Sequence, residues 1–413
     1  MSETRTATQE WKAHWPLVLA AMIGVSFGSV LSLTLGLFME PLEQEFGWTR
    51  AQMALGMTIV SAIGIPLAPL AGHLIDRFGG RRVAIPGMAL TALALAGFSL
   101  LTGAYWQWIA TWLVYGVAGA LIRQTVWSRA IAGAFETSRG MALAAMLTGT
   151  AITTAIAPSI GNALIAELGW RSAYLTLGLG WGGLALALLV LFFHERVVAA
   201  PATEAERVAA QLPGLSFAEA MRNRAVLSIG LAITLQAAIG GAFLIHVVPL
   251  LGWAGLARGE AALLAGLIGL GSLVSKFACG WLADRFQSGL IPFVVFVLPG
   301  LGYAGIAFGQ GSHLALGAAV LMVGMGSGGG FHMTNYLLTR HAGLANFGKI
   351  FGMIAAAMSI GTGIGPLLAG HVFDVTGSYA LLLYAGIPMA LVSGLLVAFL
   401  GPYPDLSARR AAA

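Results

Sequence analysis

The chain alternates between long apolar runs and short polar or glycine-rich breaks. We count twelve apolar runs, and a helix of about twenty residues crosses roughly 30 Å of hydrocarbon. Each run is therefore predicted to be a membrane-spanning helix. The predicted spans lie at roughly 15–39, 51–75, 83–102, 107–131, 140–165, 172–193, 223–249, 258–283, 290–310, 313–338, 347–373 and 379–400.

One polar interruption is longer than the others and divides six predicted spans from six. It runs from His194 to Arg222 and contains Pro201 and Pro213. A long polar, proline-containing segment between apolar blocks is typical of a linker. We therefore predict an N-terminal six-helix bundle over residues 1–196, a cytoplasmic linker over 197–222 and a C-terminal six-helix bundle over 223–413.

The two halves repeat one another at a constant spacing. Gly72, Leu74, Asp76, Arg77 and Phe78 recur 208 positions later, and so do residues of several other segments: Pro41 as Pro249, Arg50 as Arg258, Gly116 as Gly324, Gly140 as Gly348, Pro158 as Pro366 and Gly169 as Gly377. Because six is an even number of crossings, both halves enter the membrane from the same side. The pattern predicts a parallel pseudo-two-fold repeat, which is one plan of secondary transporters.

Composition excludes a soluble globular protein. Of the 413 residues, 58% are hydrophobic and only 9% are charged, with a mean hydropathy of +0.86, whereas about a quarter of a soluble domain is charged. The net charge of +5 is spread over short clusters without a continuous basic stripe, so no nucleic-acid partner is expected. The single cysteine, Cys279, rules out a site of several thiolates. The polar first residues indicate no signal peptide.

Lysine and arginine positions predict the orientation. Fifteen of the 21 basic residues fall in the segments that are cytoplasmic if both termini are inside, and three fall in the outer segments. This asymmetry follows the positive-inside rule. We expect a multi-pass protein of the plasma (inner) membrane, with both termini cytoplasmic, functioning as a monomer in the lipid bilayer.

The remaining three basic residues lie within the predicted fourth and eighth spans. Arg123 and Lys276 lie at similar depths, one in each half, and no Asp or Glu lies deep in any span. An intramembrane cation is costly unless it has a partner, so these two predict a binding site for an anionic ligand. Arg129, about 9 Å further along the fourth span, is expected to reach the headgroups instead.

Several motifs resemble those of a known transporter family. The loop Gly72-His-Leu-Ile-Asp-Arg-Phe-Gly-Gly-Arg-Arg82 is similar to the signature between helices 2 and 3 of the major facilitator superfamily. Phe38-x-x-Pro-Leu-x-x-Glu-Phe-Gly-Trp-Thr-Arg50, Gly169-Trp-Arg171 and Lys276-x-x-x-Gly280 resemble its monocarboxylate porter and oxalate/formate antiporter branch. The resemblance implies an all-α membrane protein of twelve transmembrane helices in two six-helix bundles.

The same resemblance implies small organic anions, mono- or dicarboxylates, as substrates that bind in part to a cation of the eighth helix. That cation is usually an arginine and here is Lys276, which lacks the two-pronged geometry of a guanidinium. Some members carry an aspartate one turn earlier, where this chain has Ser272. Proton symport through such a pair is therefore not expected.

Other polar residues complete the predicted site. His332, Asn335 and Tyr336 share a face of the tenth span, and His332 occupies the repeat position of Gln124. Trp127 lies one turn after Arg123, where it either stacks on substrate or packs in the core. His246 and His332 are the candidates for proton coupling. The full substrate-binding set is Arg123, Lys276, Gln124, Trp127, His332, Asn335 and Tyr336.

The Asp-Arg loops are expected to gate access without binding substrate, through Asp76, Arg77, Asp284 and Arg285. The glycine runs at 178–183 and 324–330 lie inside spans, so they indicate close helix packing and no cofactor. No metal site or catalytic motif is found, so no enzyme activity is expected. The predicted function is alternating-access transport of a small organic anion, around a central site between the bundles, by anion exchange or with linked protons. A multidrug or other organic-solute exporter is the alternative.

Overall fold

A computed structural model describes residues 6–194, 214–286, 288–309 and 312–404. These residues are almost entirely helical, and within these ranges the only β-type pairing is a single bridge between Gly214 and Gly343. The helices of the first half are α1 (Ala7–Phe46), α2 (Arg50–Phe78), α3 (Gly80–Gly97), α4 (Tyr105–Ala120), α5 (Gln124–Ala134), α6 (Arg139–Leu175) and α7 (Gly182–Phe192).

The second half repeats this series of long helices. It contains α8 (Phe217–Ala220), α9 (Arg224–Trp253), α10 (Arg258–Ala265), α11 (Leu267–Arg285), α12 (Leu290–Phe308), α13 (His313–Ala342), α14 (Phe347–Thr376) and α15 (Ala380–Ala398). Two predicted spans of the sequence are interrupted: the fourth span is divided into α4 and α5, and the eighth into α10 and α11.

In the described ranges, eleven helical stretches are long and apolar enough to cross a membrane. The stretch Arg139–Phe192 has 54 residues, which is roughly 80 Å of helix and more than twice the hydrocarbon thickness. Gly169 interrupts it with a φ of 79°, a conformation that glycine adopts without strain. This stretch therefore supplies two crossings, and the predicted twelve-helix all-α membrane fold is confirmed.

Contacts between residues divide the chain into two compact units. Unit 1 comprises Met1–Val198, Val247–Pro249 and Ala257–Gly269, and unit 2 comprises Ala199–His246, Leu250–Leu256 and Leu270–Ala413. In unit 1, Gly266 and Gly269 of the second half lie against backbone atoms of Ala155 and Ala151 in α6. The predicted division at residues 196 and 197 falls outside the described residues and stays a prediction.

Part of the predicted linker is folded onto unit 2. Leu215 donates its backbone N–H to Ala342 at 2.8 Å, and the Asn346 side chain donates to the Leu215 carbonyl at 2.9 Å. Ser216 and Asn223 then cap α8 and α9 through side-chain oxygens. Residues 214–222 are therefore packed against unit 2, and the predicted bounds of the linker stay a prediction.

The aromatic motif residues of unit 1 lie around one exposed carboxylate bridge. Glu45 accepts hydrogen bonds from the Trp170 indole at 2.7 Å and from both terminal nitrogens of Arg171, at 3.0 and 2.6 Å. The Arg171 guanidinium lies 4.1 Å from the Trp170 ring centroid. This two-pronged contact ties the end of α1 to the turn at Gly169, which explains the Phe-Gly-Trp and Gly-Trp-Arg motifs as structural elements.

Two further charged residues join segments of unit 1. Arg81 donates to the carbonyls of Val190 and Phe193, at 2.7 and 2.9 Å, and thereby caps the end of α7. Glu10 accepts three backbone N–H groups, from Glu136, Thr137 and Ser138, which precede α6. The sequence predicted neither contact, because both join residues more than a hundred positions apart.

Candidate functional site

Arg123 lies at a break in a membrane-spanning segment. α4 ends at Ala120, and Arg123 has extended backbone angles (φ −62°, ψ 161°) as the residue that precedes α5. The Trp127 indole donates to the Ile122 carbonyl at 2.9 Å, which satisfies an acceptor that the break would otherwise leave open. The break thus places a basic side chain and the positive end of α5 at the same level.

The guanidinium of Arg123 lies against a glycine of α2. A Cβ atom at Gly64 would come within 2.5 Å of an Arg123 terminal nitrogen. The Arg123 side chain is exposed, and it has no hydrogen-bond or ion-pair partner among the described residues. Gln124 is also exposed and adjacent to it. No described residue therefore occupies the hydrogen-bond donors of Arg123.

Trp127 does not have the substrate-stacking position considered for it. Its side chain is fully buried, its ring packs edge-on against Phe193 with centroids 5.3 Å apart, and Gly24 lies against its far edge. The residue packs in the core and supports the helix break. Its influence on Arg123 is therefore exerted through the backbone of Ile122 and not by contact with a ligand.

Lys276 of unit 2 lies on α11 where this helix packs closely on α13. Gly328 has no side chain, and Ser272 occupies the space that a Cβ atom there would need. One helical turn further along each helix come Lys276 and His332, since both are four residues on. The approach of Gly329 to Ser275 continues this register, which makes Lys276 and His332 neighbours across the two helices.

The other polar residues of α13 point elsewhere. The Asn335 amide donates to the Phe331 carbonyl of its own helix at 2.9 Å. The Tyr336 hydroxyl reaches the Ala283 carbonyl at 3.4 Å, seven residues beyond Lys276, and its ring contacts Tyr403. Of the three residues predicted on one face, His332 is the one that the register of α11 and α13 pairs with Lys276. Tyr336 packs against α11 and Tyr403, and its predicted role in substrate binding stays a prediction.

The glycine run of α13 has the packing role predicted for it. Ser275 and Cys279 lie against Gly329, and Pro299 of α12 lies against Gly326. The Cys279 side chain is 2% exposed and contacts the Ser275 hydroxyl at 3.5 Å. Small residues on both helices thus allow the approach of α11 and α13 that places Lys276 beside His332.

His246, the other coupling candidate, is fully buried in unit 2. Its Nδ1 lies 2.9 Å from the Tyr379 hydroxyl and its Nε2 lies 3.0 Å from the Pro366 carbonyl. Because a carbonyl only accepts, Nε2 carries a proton, and Nδ1 accepts from the Tyr379 hydroxyl in the neutral ring. His246 therefore joins α9, α14 and the residue preceding α15, which is a structural arrangement.

Acidic side chains of the described ranges lie at helix ends or in loops. Glu40, Glu43 and Glu45 are in the last turns of α1, and Asp374 is close to the end of α14. Lys276 has no hydrogen-bond or ion-pair partner among the described residues, as is also true of Arg123. In each unit, one intramembrane cation thus lacks a described protein anion.

The predicted gating residues have different environments. Asp76 forms an ion pair with Arg129 of α5. The expected approach of Arg129 to the headgroups stays a prediction. Arg77 lies over the Phe78 ring at 5.3 Å, and Arg285 over the Trp281 ring at 5.4 Å. The Asp284 side chain lies outside the described part of the chain. The two Asp-Arg loops are therefore not compared at this position.

Comparison with known proteins identifies a transporter family. The sequence model of the Major Facilitator Superfamily matches residues 15–345. Monocarboxylate transporter 11 of Mus musculus is 26% identical over 92% of this chain and 88% of its own length. Monocarboxylate transporter 13 of Bos taurus is 25% identical over 93% of this chain and 88% of its own. Multidrug resistance protein MdtL of Klebsiella pneumoniae subsp. pneumoniae is 27% identical, over 60% of this chain and 61% of its own.

Solved structures agree on the fold. A D-xylose-proton symporter superposes with a TM-score of 0.75 at 15% identity, covering 95% of this chain and 99% of its own. A bacterial homolog of the human lysosomal transporter Spinster superposes with a TM-score of 0.67 at 16% identity, covering 96% and 95%. Since the family model spans well over half of the chain and the twelve-helix fold agrees with it, the protein belongs to the major facilitator superfamily.

Proposed function

We propose that this transporter carries a small organic anion, a mono- or dicarboxylate, by alternating access. The observation that supports the proposal is the pair of intramembrane cations, Arg123 and Lys276, for which the described residues supply no acidic partner. In a medium of low dielectric an unpaired cation is strongly disfavoured, and an anionic ligand relieves this cost. The two monocarboxylate transporters that resemble the chain over nine-tenths of its length add support.

The two cations have different binding geometries. Arg123 offers a planar guanidinium that contacts both oxygens of a carboxylate, whereas Lys276 offers a point charge with three donors. His332, beside Lys276, and Gln124, beside Arg123, add neutral hydrogen-bond donors. Within each unit, the cation and its neutral neighbour suit a carboxylate that carries a second polar group.

Anion exchange and proton-linked transport both fit the proposal. With no anion bound, no negative charge screens Arg123 and Lys276. This favours a transport cycle in which the protein changes between its inward-open and outward-open states with an anion bound, or with an acid that carries its own proton. His332 is the better coupling candidate of the two histidines, because it is exposed next to a cation, whereas both ring nitrogens of His246 are occupied.

Orientation and location form part of the proposal. The excess of basic residues in the inner segments favours cytoplasmic termini in the plasma or inner membrane of the cell, and we propose that the protein acts as a monomer. An organic-solute or multidrug exporter is the second candidate, because MdtL is among the relatives. The missing intramembrane acid argues against a cationic drug as substrate.

Counterflow in proteoliposomes tests the substrate class. Vesicles loaded with unlabelled lactate or oxalate are diluted into the labelled acid, and parallel vesicles are tested with ethidium as a cationic drug. We expect saturable accumulation of at least one labelled acid and none of ethidium. Accumulation of ethidium without either acid would favour the exporter and contradict the proposal.

Gly64 is expected to determine how Arg123 is positioned. Gly64→Ala introduces a Cβ atom 2.5 Å from the guanidinium, so the side chain must move away. We expect the KM for the transported acid to rise about tenfold, as for the loss of one charge-assisted hydrogen bond. Gly97→Ala is the matched control, since its Cβ would meet no atom within 4 Å. Equal KM values for the two variants would contradict the positioning role.

The Asp76–Arg129 ion pair is expected to matter for transport more than for stability. The Asp76 side chain is 71% exposed and that of Arg129 37% exposed, and such pairs contribute about 1 kcal/mol or less. Reversing either charge alone should slow uptake with little change in the unfolding midpoint. The exchange Asp76→Arg with Arg129→Asp should restore part of the rate, with Arg82→Gln as a control. An exchange variant no faster than the single variants would show that the pairing itself is unimportant.

A further inference from the structure

Unit 2 contains a cavity of about 690 Å³ at the end where α13 and α15 finish. Its wall is formed by Gly289, just before α12, by the last turns of α13 and by the segment that follows α15. Leu337, Val397 and Leu400 line its apolar part, and Arg340, His341 and Tyr403 its polar part. No acidic side chain is among the described residues of the wall. The cavity is separate from the Lys276 region, since Arg340 lies eight residues beyond His332.

The basic groups of this cavity have free donors. The Arg340 guanidinium lies 4.5 Å from the centroid of the Tyr403 ring, and no hydrogen bond or ion pair of its side chain is found among the described residues. The His341 side chain is 3% exposed, its ring lies 5.2 Å from that of Tyr403, and neither ring nitrogen has a described hydrogen-bond partner. An imidazole N–H without a protein partner is a donor for a ligand that accepts a hydrogen bond.

Tyr403 gives the cavity a fixed aromatic wall. Its ring contacts those of Tyr336 and His341, and Arg340 lies over its face. Burial raises the pKa of the Tyr403 hydroxyl, so the phenol stays neutral and adds no negative charge to the cavity. Last-turn basic residues also interact with helix carbonyls. Here, however, no side-chain hydrogen bond from Arg340 or His341 to those carbonyls is described, so their donors remain available.

The cavity lies at the boundary of the apolar spans. The span of α13 ends at Ala342 and that of α15 at Ala398, both next to wall residues. Leu290 and Phe399, each adjacent in the chain to a wall residue, are 64% and 75% exposed. A cation and an imidazole beside exposed apolar side chains match the headgroup and acyl chain of one lipid. It does not match a free anion, which needs no apolar rim.

We propose that the cavity binds the phosphate group of an anionic phospholipid, with Arg340 and His341 as its donors and with the acyl chains along Leu290 and Phe399. In the orientation given above, the lipid belongs to the cytoplasmic leaflet, where anionic lipids attract basic residues near the surface. The site is independent of the transported substrate. Its occupant stabilises the junction of α12, α13 and the segment after α15.

Lipid titration of the purified full chain in detergent tests the site. The thermal-unfolding midpoint is followed against phosphatidylglycerol, phosphatidylcholine and inorganic phosphate. We expect phosphatidylglycerol alone to raise the midpoint, because a bound lipid stabilises only the folded state. Arg340→Gln should weaken its apparent affinity about tenfold, and Arg340→Lys should retain most of it. Arg222→Gln removes an exposed charge elsewhere in unit 2 and serves as the matched control.

A second variant tests the cavity itself. Leu400→Trp fills the space without removing a charge, so it should abolish the retention of phosphatidylglycerol in native mass spectrometry. Several outcomes would overturn the proposal: an equal response to inorganic phosphate, which indicates a free-anion site; an equal response to phosphatidylcholine; an equal loss in Arg222→Gln and Arg340→Gln; or lipid retention that Leu400→Trp leaves unchanged.

Discussion

Arg123→Ala and Lys276→Ala are each expected to lower the kcat/KM of carboxylate transport by about tenfold to a hundredfold. Each replacement removes a charge-assisted hydrogen bond to the substrate, which contributes about 1.5–3 kcal/mol. Counterflow over a range of substrate concentrations measures the effect. The double variant should have no saturable uptake, because none of the cations proposed to bind the anion is left.

The stability of the same variants distinguishes binding from folding. Since neither cation has a described protein partner, alanine should leave the unfolding midpoint of the substrate-free protein unchanged or higher. Lys276→Arg should keep transport and shift selectivity toward acids that accept a two-pronged contact. Lys349→Ala, at an exposed position of α14, is the control for loss of a lysine. Normal transport by the variant that carries both Arg123→Ala and Lys276→Ala would contradict the proposal that these cations bind an anionic substrate.

His246→Leu is expected to produce the largest loss of stability of the changes considered. It removes the hydrogen bonds that the imidazole makes with the Tyr379 hydroxyl and the Pro366 carbonyl in a buried region, and each such bond contributes about 0.5–1.5 kcal/mol. The connection between α9, α14 and the start of α15 is lost at the same time. Thermal unfolding in detergent should show a clear decrease in the midpoint.

Two further variants show whether His246 has a structural role or a role in proton coupling. His332→Leu, at an exposed position, should leave the unfolding midpoint close to that of the wild type. His246→Gln keeps a donor and an acceptor, so it should transport with the wild-type dependence on pH. A flattened pH dependence in His246→Gln, with a normal midpoint, would instead assign proton coupling to His246.

The repeat made much of the fold predictable. A spacing of 208 residues relates Gly64 to Ser272 and Gln124 to His332, and both pairs belong to the surroundings of the two cations. In unit 1 the cation, Arg123, lies in the break beside Gln124, whereas in unit 2 the cation, Lys276, lies on α11 one turn after Ser272. The symmetry of the backbone was therefore readable from the sequence, but the placement of the chemistry departs from it.

Several side-chain roles were not predictable from spacing along one helix. Asn335 and Tyr336 share a face with His332, yet one bonds to its own helix and the other to Ala283 of α11. Trp127 lies one turn from Arg123 but points into the core. Spacing along a helix determines which residues are neighbours on its surface, whereas the partner helix determines which of them contact a ligand.

The sequence by itself determined that this chain spans a membrane, how many times it does so and which basic residues lie within the spans. These properties depend on local apolar runs, because the insertion of each run into a bilayer is set mainly by its own hydrophobicity. Only the tertiary structure decided that Arg123 follows a helix break supported by Trp127, that Asp76 pairs with Arg129, and that His246 is held by Tyr379 and Pro366. Those contacts join residues far apart in the chain, so they exist only once the helices have packed.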